Sequence, residues 1–133
     1  KRLQKISTTQ AALRSLQRNK FITARKIGKK LIIELTAKGV AATLSEQLRQ
    51  ETLLPSGTYT LVIFDIPETE REARRHFRWL LRQGEFIKLQ KSVWISKHNV
   101  QNTITRFVKK LKLEKWVNVG LVSNLFTATK INS

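Results

Sequence analysis

Hydrophobic positions in the first fifty residues change their period twice. Between Ser7 and Arg18, Thr9, Ala12, Leu13 and Leu16 recur at three- and four-residue intervals, while Gln10, Arg14, Gln17 and Arg18 fall on the opposite side. This is the pattern of an amphipathic helix. Ser7-Thr8-Thr9-Gln10 matches a capping box and places the predicted helix start at Ser7. The following "FITARKIGKKLIIELT" switches to two β-prone runs, 21–24 and 31–35, around the basic tip Arg25-Lys26-Ile27-Gly28-Lys29-Lys30, and predicts a hairpin. Thr36 then caps a further helix reaching to near Gln50, with Val40, Ala41, Leu44 and Leu48 along one stripe.

Pro55 and Ser56-Gly57 interrupt the periodic pattern, which divides the chain into a first module at 1–52 and a second at 53–133. The second module opens with a nearly continuous apolar strand at 59–66, stopped by Pro67. A helix over 68–83 follows, with Glu68, Glu70 and Glu72 near its N-terminal end, where the helix dipole favours them, and Gly84 as its C-cap. Short β-prone runs at 86–89 and 92–95 predict a tight hairpin or bulged turn. Val100, Ile104, Phe107, Val108 and Leu111 predict a helix over 99–112, and strands are expected at 116–122 and 125–131. The order β-α-β-β-α-β is that of a ferredoxin-like unit, so the predicted fold class is α+β. Two helices cover only one face of such a sheet, yet both alternating sets of the first strand are apolar. A second copy stacking sheet on sheet, or the first module, is expected to cover the other face.

Charge changes the picture most. The 133 residues include 26 basic and 9 acidic side chains, a formal net charge of +17 carried by both modules. Such a field attracts polyanions, and nucleic acid is the natural partner. Cysteine is absent, and His76 and His98 stand far apart, so disulfides and a histidine-cysteine zinc site are excluded. No apolar run approaches the roughly 20 residues that span a bilayer, and no signal peptide opens the sequence, so a cytoplasmic protein without a membrane partner is expected. The five glycines form no phosphate-binding loop.

Gln and Arg are the side chains that read adenine and guanine edges, which makes the helix carrying Gln10, Arg14, Gln17 and Arg18 a candidate recognition helix. A basic hairpin directly after it reads as the wing of a winged helix-turn-helix, with Arg25, Lys26, Lys29 and Lys30 on backbone phosphates. This winged helix is partial, because two helices are expected ahead of the recognition helix. In the second module, Arg71, Arg74, Arg75, Arg78 and Arg82 line one side of their helix as a second basic face. Asp65, the acid that ends the apolar strand, can accept backbone N–H bonds from residues 67–69, or it can act chemically.

Residues 61–96 carry two motifs that resemble a known family. "FDIP" closes the strand, and "LQKSVWIS" follows the helix and its Gln83-Gly84 end. Together they are similar to the small endonuclease subunit of the CRISPR adaptation machinery, whose strand ends in a Tyr- or Phe-Asp-Ile triplet and whose second motif has the form Val-Gln-x-Ser-Val-Phe. With a winged helix in front and Trp94 in place of the usual Phe, the whole chain resembles the PaaX family of bacterial repressors, which act as dimers on operator DNA. That resemblance implies a sequence-specific, homodimeric, double-stranded-DNA-binding repressor that requires no cofactor. Some relatives sense an acyl-CoA through further C-terminal sequence, and no effector is assigned to this chain. The nuclease resemblance implies instead that Asp65 of two protomers shares a Mg²⁺ or Mn²⁺ in a phosphodiesterase site. A third reading is an architectural or adaptation-complex subunit that binds RNA or DNA without sequence specificity, and the residues leave all three open.

Overall fold

The computed structural model describes the backbone of residues 2–131 and the side chains of residues 9–131. The chain is mixed α/β, with four α-helices and two antiparallel sheets among the described residues. Helix α1 is Arg2–Arg18. It begins well before the predicted capping box, because Leu3, Gln4 and Lys5 are good helix formers that carry the helix through Ser7. The Ser7 side chain lies outside the described residues. At the other end Lys20, at φ 65°, takes the left-handed position, and the Phe21 N–H donates to the Leu16 carbonyl at 2.9 Å.

The predicted hairpin is present as β1 (Ile22–Ile27) paired with β2 (Lys30–Leu35). Its strands run further into the basic segment than expected, because the turn is only Gly28-Lys29, with Gly28 at φ 63°. A two-residue hairpin turn needs such a left-handed residue, and glycine adopts it without strain. Helix α2 (Ala37–Leu48) starts where predicted, with Thr36 accepting the Gly39 N–H at 3.1 Å.

Strand β3 (Thr58–Phe64) leads through a short 3₁₀ turn, Glu68–Glu70, into α3 (Arg71–Gln83). Gly84 is its C-cap as predicted, but at φ −84° it does not use glycine's left-handed freedom. Glu85 takes that position at φ 58°. What Gly84 supplies is space, since a Cβ there would sit 3.2 Å from a Phe86 ring carbon. Strands β4 (Ile87–Gln90) and β5 (Val93–Ser96) form the short hairpin expected there, with a register irregularity inside β4 between Lys88 and Gln90. Helix α4 (Gln101–Lys110) and strand β6 (Val117–Ser123) complete the order β-α-β-β-α-β.

The four-stranded sheet has the order β4-β5-β3-β6, with every neighbouring pair antiparallel. The strand expected at 125–131 is not formed. Asn124 turns left-handed at φ 58°, its N–H bonds the Gly57 carbonyl at 3.1 Å, and the chain leaves the sheet with Phe126 93% exposed.

Helices α3 and α4 pack on one face of the sheet, where Phe64 meets Phe77 edge-on at 5.0 Å and Phe77 stacks on Phe107 at 5.5 Å. Helix α2 lies over α3 and α4 and buries Val40, Ala41, Leu44 and Leu48 in the same hydrophobic cluster. It therefore does not cover the opposite sheet face. On that face Ile95 is buried beside Leu61 and Ile87, but Ile63 remains 41% exposed.

Candidate nucleic-acid interface

Gln10, Arg14, Gln17 and Arg18 are all exposed on α1. The face predicted to pack is only partly covered. Leu13 is half-buried, Ala12 is exposed and Leu16 is 41% exposed, because β1 is the main element against which α1 rests. The helix thus presents both its Gln/Arg side and part of its apolar stripe.

Arg25 and Lys26 project from β1, Lys29 from the turn and Lys30 from β2, and all four are exposed. Glu34 lies 3.7 Å from Arg25, but both side chains are well solvated, so this pair contributes little. Lys26, Lys29 and Lys30 have no carboxylate within 4.0 Å among the described residues. The hairpin tip is a compact positive projection.

Two further lysines escape sequence reading because neither belongs to a periodic stripe. Lys20 ends α1 and Lys38 opens α2, and with Gln17 they line an open cleft whose far wall is Glu72, Arg75 and His76 of α3. Lys38 Nζ donates to the Asn19 carbonyl at 2.8 Å and sits 4.4 Å from the centre of the Phe21 ring. His76, with its side chain 16% exposed, lies 3.7 Å from Glu72. Burial pushes its pKa below the usual 6.5. Arg75 and Lys38 add to that depression, and Glu72 opposes it.

On α3, Arg71, Arg75, Arg78 and Arg82 are exposed, whereas Arg74 is half-buried and donates to the Ile66 carbonyl at 3.2 Å and to Glu68 at 2.7 Å. Asp65 is exposed just past β3. Its backbone N–H donates to the Trp116 carbonyl at 2.9 Å, which ties the end of β3 to the start of β6.

The Asp65 carboxylate accepts no hydrogen bond among the described residues, so the capping role over residues 67–69 is not made. The physical reason is Pro67, which has no N–H to donate and which, at ψ 165°, carries the chain extended into the 3₁₀ turn. No group of three or more His, Asp or Glu side chains able to hold a metal occurs among the described residues. Within the described chain Asp65 therefore belongs to no three-ligand set, and a Mg²⁺ or Mn²⁺ site there would need donors from elsewhere. No described helix is long and apolar enough to cross a membrane.

These features define a strongly basic α/β chain whose sheet carries helices on one face and whose positive side chains gather on α1, the hairpin and α3. Residues 55–130 match the family model of the PaaX protein central Cas2-like domain, and the chain belongs to that family. No curated protein and no solved structure matches the chain.

Proposed function

We propose that this protein is a sequence-specific DNA-binding transcriptional regulator, a repressor that works as a homodimer. The observation that carries this reading is the pairing of an exposed Gln/Arg helix face with a basic hairpin in a chain of net charge +17. The helix α1, the wing β1-β2 and α2 act as a partial winged helix. The β-α-β-β-α-β unit with sheet order β4-β5-β3-β6 acts as a ferredoxin-like dimerisation module. Family membership agrees with this division, and the open sheet face around Ile63 supplies a surface for the second copy.

Gln10, Arg14, Gln17 and Arg18 then meet base edges or phosphates, and Arg25, Lys26, Lys29 and Lys30 meet the sugar-phosphate backbone. A gel-shift series on duplexes selected by the protein tests this. Arg14→Ala is expected to cost about 1–3 kcal/mol on a selected site, and Lys29→Ala to weaken every duplex and flatten the salt dependence by about one phosphate's worth. Unchanged binding by both variants sinks the reading.

One observation keeps a second reading in play: the Asp65 carboxylate is exposed and without a hydrogen-bond partner among the described residues. In a nuclease, two such carboxylates from a dimer, completed by water and backbone carbonyls, would hold Mg²⁺ or Mn²⁺ for phosphodiester hydrolysis. Incubating wild type and Asp65→Ala with single-stranded RNA and duplex DNA in the presence of Mg²⁺ or Mn²⁺ decides between the two. Cleavage that disappears in Asp65→Ala favours the nuclease.

A further inference from the structure

The arginine row of α3 has no part in the proposed recognition by α1 and the hairpin. At about 100° per residue, Arg71, Arg74, Arg75, Arg78 and Arg82 fall within an arc of about 100°, and the row runs about 16 Å along the helix. Its members repel one another, since Arg71 and Arg75, Arg74 and Arg78, and Arg78 and Arg82 are like charges one turn apart. Acids relieve only the N-terminal part. Glu68 lies 3.8 Å from Arg71 and 2.7 Å from Arg74, and Glu72 lies 2.8 Å from Arg75. Arg78 and Arg82 have no carboxylate within 4.0 Å among the described residues.

A solvated helix face also carries charge. What sets this row apart is its continuity with α1. Glu72 and Arg75 border the arginine surface on one side and, on the other, the cleft that Gln17 of α1 shares with Lys20 and Lys38. Positive side chains thus follow one another from the C-terminal end of the candidate recognition helix, across Lys20 and Lys38, to Arg75 and on to Arg82. Guanidinium groups suit a phosphate partner, because their paired N–H donors match its oxygens.

We propose that the α3 row is a second phosphate-binding surface, which grips the backbone of double-stranded DNA flanking the segment read by α1. The inference rests on the DNA-binding function proposed above and adds a contact that is blind to sequence. Each phosphate neutralised releases counterions, so the row is read in the salt dependence of binding.

The test measures fluorescence anisotropy of the full chain over a series of salt concentrations. Its probes are one labelled duplex just covering the selected site and another extended by about one helical turn on each side. In R78Q/R82Q the slope of log affinity against log salt is expected to fall by about 2 on the extended duplex and to stay unchanged on the short one. The lysine pair R78K/R82K restores it. Both positions are exposed and unpaired among the described residues, so the melting temperature is expected to stay at or slightly above that of wild type as repulsion along the row is relieved.

An unchanged slope on the extended duplex, with wild type binding both probes and Arg14→Ala weakening both, overturns the α3 inference and leaves the DNA-binding function standing. An equal loss on both probes also overturns it, because the row then touches the site itself. Failure of wild type to bind any duplex overturns both. Loss in R78Q/R82Q of binding to phosphatidylserine vesicles, with duplex binding intact, replaces DNA by a membrane as the partner of this row.

Discussion

The Thr36 hydroxyl donates to the Lys20 carbonyl at 2.6 Å and accepts the Gly39 N–H at 3.1 Å. One side chain thereby closes the end of α1, caps the start of α2 and fixes the distance between them. Thr36→Ala is expected to lower stability by about 1–2 kcal/mol, in the upper range for a lost cap, and Thr36→Ser to recover most of it. Urea unfolding checks this through a lower midpoint with an unchanged slope.

Gly39 reverses the ordinary rule for glycine in a helix. Replacing it by alanine normally gains about 1 kcal/mol of helix propensity. Here a Cβ would overlap the Phe21 carbonyl oxygen, with a Leu35 methyl only 3.1 Å away. Gly39→Ala is therefore expected to lose about 1–3 kcal/mol, as overpacking does, and thermal denaturation reads the sign directly.

Ile63 tests the dimer. It is exposed on the sheet face opposite α3 and α4, so a charge there costs the single chain little. A second copy stacked on that face would have to desolvate the charge. Wild type is expected to sediment as a dimer and Ile63→Asp as a monomer with near-native circular dichroism. A variant that stays dimeric places the interface elsewhere.

His76 makes stability depend on pH in a defined direction. Its folded pKa lies below 6.5, from burial first and then from Arg75 and Lys38, so the unfolded chain binds the proton more readily. Stability is then full above pH 6.5 and falls as acidification passes from there toward the lower folded value. The melting temperature is expected to drop on that flank, and His76→Gln to drop less. Equal slopes for the two proteins assign the dependence to other groups.

The apolar strand and helix patterns located every strand of the four-stranded sheet and its two helices to within a few residues, because Val62, Phe64, Phe77, Ile104 and Phe107 have a fixed period and are deeply buried. Local signals misled where tertiary or backbone context decides. Ser7-Thr8-Thr9-Gln10 reads as a helix start only if the preceding residues are not helical, and "LFTATKI" reads as a strand only if Asn124 continues the extended chain. Of the candidate site, the exposed Gln and Arg of α1 and the basic hairpin were legible as patterns. Lys20 and Lys38 were not, because what joins them to Arg75 is the packing of α2 on α3, and no spacing along the chain encodes it. The missing cap at Asp65 is a backbone matter, governed by the course of Pro67.

Helix α2 has a mechanical consequence. Its buried side joins the core of α3 and α4, while Thr36 and Gly39 at its N-terminal end hold the close of α1. The close of α1 is thus tied through Thr36 to a helix that is itself packed into the core. If α1 reads DNA in a dimer built on the open sheet face, as proposed above, this tie helps to set how far apart the two copies of α1 lie.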